Sequence, residues 1–173
     1  MEKKDLKPAG VFKYFEEICQ VPRPSKKEEK MIAYLKAFGA KHNLETKVDE
    51  AGNVLIKKPA TPGKENLQTV VLQSHIDMVC EKNNDVQHDF LTDPIETEID
   101  GEWLKAKGTT LGADNGIGVA TELAILADDS IEHGPLECLF TVDEETGLTG
   151  AFALQEGFMS GDILLNLDSE DEG

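Results

Sequence analysis

The fold is decided by TVVLQSHID, residues 69–77, in which a nearly continuous β-branched and apolar run ends in polar residues. A short run of this kind is typical of a strand that is covered on both faces, as in parallel sheets. LECLFTV at 136–142 and ILLNL at 163–167 have the same character, and residues with helical spacing separate the three runs. Alternating strands and helices predict an α/β fold, an α/β/α sandwich with a mostly parallel central sheet.

The remaining elements are predicted from periodicity and turn signals. Apolar spacing predicts helices at about 11–20, from Met31 to Lys41, at 117–127 and at 148–156. Extended runs on either side of short turns predict hairpins at 45–58 and 95–105. Ser25 and Glu28 match a capping box before the second helix. We expect Trp103, in the second hairpin, to pack against the protein.

The composition restricts the possible partners and the compartment. The chain has 173 residues, and its 17 Lys and Arg against 34 Asp and Glu give a net charge of −17. Nucleic acids and anionic membranes both attract proteins with a surplus of basic residues, so we expect neither partner. No apolar run approaches the roughly 20 residues of a membrane helix, and the charged N-terminus does not resemble a signal peptide. Three widely spaced cysteines indicate free thiols, and we expect a cytoplasmic protein.

Acidic residues follow the predicted strands at the points where the strands end. In an open α/β sheet, the carboxyl ends of the strands meet at one edge, where ligands bind. A glycine-rich loop at 112–118 adds one more acid to the same edge. Each of these residues alone is most often a solvated turn residue, but their joint placement favours a site. The candidate residues are His75, Asp77, Asp114, Glu144, Glu145 and Asp168, with Asp143 beside them.

Converging carboxylates repel one another unless a cation neutralises them. One imidazole among several carboxylates suits Zn²⁺, Mn²⁺ or Co²⁺, and this many carboxylates suits two ions that share a ligand. A carboxylate that binds no metal is then available to deprotonate a water molecule. The sequence therefore predicts two divalent metal ions, and Zn²⁺, Mn²⁺ and Co²⁺ all fit; the preference for zinc comes only from the family resemblance described next.

Four motifs lie in order along nearly the whole chain: SHIDMV at 74–79, GADNGIG at 112–118, DEETG at 143–147 and NLDSE at 166–170. Together they resemble the M20 family of co-catalytic zinc peptidases. Within that family, the residues in these motifs are similar to the aminoacyl-histidine dipeptidase branch. PRPS at 22–25 and DGEWLKA at 100–106 also resemble that branch.

The resemblance implies a role for each candidate metal ligand. Asp114 would bridge the two metals, His75 and Asp168 would complete the first, and Glu145 would bind the second. It also implies a cis peptide bond between Asp114 and Asn115.

The resemblance also implies two catalytic residues. Glu144 would be the general base, which takes a proton from water and passes it to the leaving amine. Asp77 would hold the His75 imidazole in the tautomer that binds metal. The implied reaction is hydrolysis of dipeptides, preferably those with a C-terminal histidine.

Members of the family are much longer than this chain. We therefore expect residues 1–173 to be the N-terminal part of the catalytic domain, without the lid and dimerisation domain and without the returning segment that supplies a further His ligand. The chain alone would have little or no activity, and the full-length protein would be a homodimer that acts on small peptides. The alternatives are another M20 peptidase or deacylase, and a non-catalytic α/β module that binds cations or a partner.

Overall fold

The computed structural model describes residues 2–169, except the side chain of Lys4. Residues 170–173, and with them Glu170 of the fourth motif, lie outside the described residues. After a 3₁₀ turn at Lys3–Asp5, the elements are α1 (Ala9–Cys19), α2 (Glu29–Lys41), β1 (Glu45–Val48), β2 (Val54–Lys58), β3 (Val70–His75), β4 (Thr97–Asp100), β5 (Trp103–Ala106), α3 (Ala113–Ala127), β6 (Leu136–Thr141), α4 (Thr149–Ala153) and β7 (Ile163–Asn166).

Five of these strands form the central sheet, in the order β1-β2-β6-β3-β7. β3 pairs in parallel with β6 on one side and with β7 on the other. β2 is antiparallel to both of its neighbours, β1 and β6, so it alone runs opposite to the other four strands. The predicted α/β fold with a mostly parallel sheet is confirmed. β4 and β5 form a separate hairpin, as predicted.

The two faces of the sheet are covered unequally. α1, α2 and α3 pack on one face, where residues such as Phe15, Leu35 and Phe140 form the main core. On the other face Leu55, Val71 and Leu139 form a small cluster, which Leu154 and Phe158 cover just after α4. In the described part of the chain, the second helical layer of the sandwich therefore consists of α4 and the residues that follow it.

β7 is an edge strand with little cover. All four of its residues are exposed, and Leu164 and Leu165 retain 50% and 48% of their accessible surface. Within residues 2–169 its only strand partner is β3. One side of its backbone and both of its faces are therefore accessible.

Two local predictions were wrong. The Ser25 hydroxyl does not cap α2, because it donates a hydrogen bond to Asp77 Oδ2 at 2.7 Å instead. Trp103 does not pack against the protein, since 71% of its surface is exposed at the end of the β4–β5 hairpin. In both cases the sequence pattern is local, whereas the position of the side chain depends on the tertiary fold.

One carboxyl group lies entirely within the main core. Glu122 on α3 has no exposed surface, and neither of its oxygens has a hydrogen-bond partner. The hydroxyl of Ser74 and the thiol of Cys138 lie beside it, but not in hydrogen-bonding geometry. Burial raises the pKa of Glu122 well above its usual value, against the effect of these two neighbours. The group is therefore an acid in an apolar environment.

The cysteines are free, with Cys19 and Cys138 buried and Cys80 partly so. Among the described residues, no helix has both the length and the apolar character needed to cross a membrane.

Candidate metal centre

The candidate residues meet at the edge of the sheet where β3, β6 and β7 end. His75 is the last residue of β3, Glu144 and Glu145 follow β6, and Asp168 follows β7. Asp114 lies in the first turn of α3. The Nε2 atom of His75 lies 3.0 Å from an oxygen of Asp114, 3.8 Å from one of Glu144 and 3.9 Å from one of Asp168. The sheet therefore brings these four side chains together, as the sequence predicted.

Two sets of these side chains are compact enough to hold a metal ion. One set is His75, Asp114 and Glu145, and the other is His75, Glu144 and Asp168. Within each set, one ligand atom from each residue lies within 4.8 Å of the others. The two sets overlap at His75, whereas the resemblance implies Asp114 as the shared ligand.

Asp77 connects the imidazole to the loop that follows β6. It is fully buried, and its Oδ1 lies 3.2 Å from Nδ1 of His75. The same carboxylate accepts hydrogen bonds from the backbone N–H groups of Glu144 and Glu145, at 3.0 and 3.2 Å. A carboxylate beside a ligand imidazole fixes its tautomer and orientation. Here it also fixes the backbone that carries two of the candidate side chains.

Burial and the neighbouring charges shift the pKa values of several side chains in the site. Burial raises the pKa of both Glu144 and Glu145, and the neighbouring carboxylates add to this effect although the charge of His75 opposes it. Burial disfavours the charged form of His75, but the hydrogen bonds of Asp77 and Asp114 and the charges of Asp77 and Asp168 prevail and raise its pKa to about 9. Carboxylates that repel one another around one imidazole are a donor set that fits a divalent cation.

The start of α3 departs from regular helical geometry where it reaches the site. The peptide bond between Asp114 and Asn115 is cis, as the resemblance implied, and both residues have non-helical backbone angles. The Asn115 side chain donates hydrogen bonds to the Leu167 carbonyl at 3.1 Å and to Asp168 Oδ1 at 3.0 Å. Asn115 therefore ties the Asp114 loop to the Asp168 loop, a contact that the sequence analysis missed.

Residues 23–28, between α1 and α2, brace the site from behind. The Arg23 guanidinium is buried and donates to backbone carbonyls of the loops that carry His75 and Asp114. Glu28 accepts a hydrogen bond from the Asp143 N–H at 2.9 Å. The sequence analysis assigned no role to Arg23 and treated Glu28 as a helix cap. The PRPS motif was the available signal for a role of this segment. It resembled the aminoacyl-histidine dipeptidase branch, but the sequence analysis assigned it no function.

An open depression of about 440 Å³ adjoins Asp114, Asn115 and Asp168. The acidic groups beside it are accessible from outside, and the Asp114 side chain retains 60% of its surface.

An α/β sheet that presents one imidazole and several carboxylates beyond its strand ends has the donor set of a divalent-metal site. Residues 71–169 match peptidase family M20/M25/M40, and the chain belongs to this family.

The proteins that are similar to this chain include a curated sequence and solved structures of peptidases. The chain is 52% identical over 172 residues to the cytosol non-specific dipeptidase of Escherichia coli, covering 99% of this chain and 36% of the relative. It matches the crystal structure of aminoacylhistidine dipeptidase from Vibrio alginolyticus with 56% identity and a TM-score of 0.96, over 100% of this chain and 35% of that one. Aminopeptidase PepT from Bacillus cereus matches with 26% identity and a TM-score of 0.79, over 94% of this chain and 43% of that one. The chain thus spans about a third of the length of its two more similar relatives.

Proposed function

We propose that residues 1–173 are the N-terminal part of the catalytic domain of a cytoplasmic metal-dependent dipeptidase. The observation that carries this proposal is the convergence of His75 and four carboxylates at one sheet edge in a chain of the M20 family. The names of the E. coli and Vibrio relatives support dipeptide hydrolysis, and the E. coli name supports the cytosol.

Two divalent metal ions would be held by His75, Asp114, Glu145 and Asp168. Zinc is the preferred ion, with manganese and cobalt as alternatives that the same nitrogen and oxygen donors accept. Bound ions of this kind polarise a substrate carbonyl and acidify water.

Glu144 is the proposed general base. Its carboxylate lies within 3.8 Å of His75 Nε2, and its backbone N–H is held by Asp77. A base works best when its pKa lies towards the working pH, and burial moves the pKa of Glu144 in that direction. Asp77 is the proposed orienting residue, because it holds both the His75 ring and the backbone of the base.

The remainder of the catalytic unit lies outside this chain. We infer that it comprises a lid and dimerisation domain and a returning segment with a further His ligand, so the chain alone is inactive and the complete protein is a homodimer. The substrate is a small peptide, preferably a dipeptide with a C-terminal histidine. We propose no nucleic-acid or membrane partner.

The experiment compares metal content with dipeptide hydrolysis in the complete protein that contains this chain. Glu144→Gln removes the base, and we expect turnover to fall about 10²–10⁴-fold while metal content stays unchanged. Glu156→Gln, at an exposed carboxyl beyond α4, is the control and leaves turnover unchanged.

Normal turnover in the Glu144→Gln variant would refute its role as base. Measurable hydrolysis by the chain alone would refute the need for the further segments. A comparison of Xaa-His dipeptides with other dipeptides then tests the preference for histidine.

A further inference from the structure

We propose that Arg23 is a positioning residue that sets the spacing between His75 and Asp114. The inference rests on the proposed metal centre and deepens it. Arg23 is 2% exposed and lies in the loop that follows α1, remote in sequence from both candidate ligands.

The guanidinium connects the two ligand loops directly. Its Nη1 donates to the carbonyls of Ile76 and Asp77, each at 3.1 Å, just after His75. Its Nη2 donates to the Gly112 carbonyl at 2.6 Å, two residues before Asp114. The planar guanidinium holds its donors in a fixed fork, so it fixes the separation of the carbonyls that it binds. The two segments that it joins carry His75 and Asp114, whose Nε2 and Oδ1 atoms lie 3.0 Å apart.

The glycine loop is shaped around this side chain. A Cβ atom on Gly112 would lie 2.6 Å from Nη2 of Arg23, and one on Gly116 would lie 2.7 Å from the same atom. Both distances are too short for a real contact. Two glycines of the GADNGIG motif therefore leave room for the guanidinium, in addition to the left-handed backbone that Gly112 requires.

If Arg23 acts through its charge, its removal should change the metal affinity in one direction, and if it acts by positioning the loops, in the opposite direction. All three hydrogen-bond acceptors of Arg23 are backbone carbonyls, and its charge acts on Asp77 and Asp114 from behind the site. If charge alone mattered, removing a buried cation beside a metal centre would strengthen the binding of a divalent ion. If Arg23 positions the loops, removing it weakens binding, because ligands must be held close to the geometry that the metal requires.

The test is a titration of the complete protein that contains this chain with Co²⁺, which reports both affinity and coordination through its visible absorption. Arg23→Met removes the fork and the charge, whereas Arg23→Lys keeps the charge and removes the fork. We expect both variants to bind Co²⁺ about 10–100-fold more weakly, as other substitutions behind metal ligands do, and to alter the Co²⁺ spectrum.

Lys58→Met is the matched control. Lys58 is also a buried cation that donates to two backbone carbonyls, those of Ile125 at 3.1 Å and Asp128 at 2.7 Å, but at the far end of α3. Its loss destabilises the fold without touching the ligand loops. We expect the thermal midpoint of Lys58→Met to fall while its Co²⁺ affinity and spectrum stay unchanged.

Gly116→Ala tests the same contact with Arg23 retained, and it decides the question if the Arg23 variants do not fold. The added methyl group displaces Nη2, so we expect weaker Co²⁺ binding. It should have a smaller effect on binding in the Arg23→Lys background, where Nη2 is absent.

Equal or tighter Co²⁺ binding by Arg23→Met would overturn the inference, as would equal weakening by Lys58→Met. Unchanged binding by Gly116→Ala would also overturn it. Failure of the unchanged complete protein to bind Co²⁺ would instead refute the proposed metal centre, and the inference with it.

Discussion

Replacing Glu122 with methionine is expected to stabilise the chain, because it removes a polar group that the core does not satisfy. Glu122 is fully buried on α3, and neither carboxyl oxygen has a hydrogen-bond partner. A buried polar group without a partner costs about 1–3 kcal/mol. Methionine has a similar length and a good helix propensity. We expect the free energy of unfolding to rise by about 1–3 kcal/mol, and the thermal midpoint by about 2–4 °C for each kcal/mol.

The effect of Glu122 should also depend on pH. Burial raises its pKa in the folded chain above the value of 4.5 that applies when the chain is unfolded. Between these two pKa values the folded state holds a proton that the unfolded state has released, so stability falls as the pH rises above about 4.5. The slope reaches at most about 1.4 kcal/mol per pH unit for one proton. Glu122→Gln has no titratable group at this position. The free energy of unfolding of Glu122→Gln, relative to that of the unchanged chain, should therefore rise with pH.

Urea unfolding followed by circular dichroism at several pH values measures both effects. Glu102→Gln, at an exposed carboxyl in the β4–β5 hairpin, is the control and should change little. Loss of stability in Glu122→Met, or a Glu122→Gln variant whose advantage is the same at every pH, would refute the argument. Either result would mean that the carboxyl group is satisfied in the folded chain.

Three further predictions concern the metal centre. Asp77→Asn has only one oxygen for the two N–H groups of Glu144 and Glu145, so metal affinity should fall about 10–100-fold by calorimetric titration. The pKa of His75, raised to about 9, lies above its unfolded value of 6.5, so its stabilisation of the metal-free chain is complete below pH 6.5 and is lost as the pH rises through 9. That loss should be absent from His75→Gln in urea unfolding. Zinc at about 100 times its dissociation constant should stabilise the chain by about 2.7 kcal/mol.

Each of these three predictions would be contradicted by a specific result. An Asp77→Asn variant with unchanged metal affinity would show that the contacts of Asp77 are not needed for binding. A metal-free chain whose stability rises between pH 6.5 and 9 relative to His75→Gln would contradict the direction of the His75 shift. If zinc does not raise the unfolding midpoint, the proposal that the acidic edge binds zinc is refuted. Removal of zinc by a chelator is the control.

The placement of the candidate residues could be predicted because it follows from strand direction. β3, β6 and β7 are apolar runs with polar residues at their carboxyl ends, and parallel strands bring those ends to one edge. The roles assigned to His75, Asp114 and Glu144 come from the resemblance and stay predictions.

The bracing contacts could not be predicted, because they join segments that are remote in sequence. Arg23 and Asp77 are 54 positions apart. The Ser25 hydroxyl matched a helix cap by local pattern, but the carboxylate of Asp77 was the acceptor that the fold placed beside it. A loop arginine is usually exposed, and the PRPS motif marked the segment around Arg23 without indicating that Arg23 is buried.

The open edge at β7 has a consequence for how the isolated chain behaves at high concentration. Ile163, Leu164 and Leu165 present apolar side chains on a strand whose outer edge has no strand partner within residues 2–169, which is the arrangement that recruits a strand from another molecule. The net charge of −17 opposes such encounters through long-range repulsion. Salt shortens the range of that repulsion to about 10 Å at 0.1 M. Added salt should therefore favour association of the chain through this edge, and dilute buffer should oppose it.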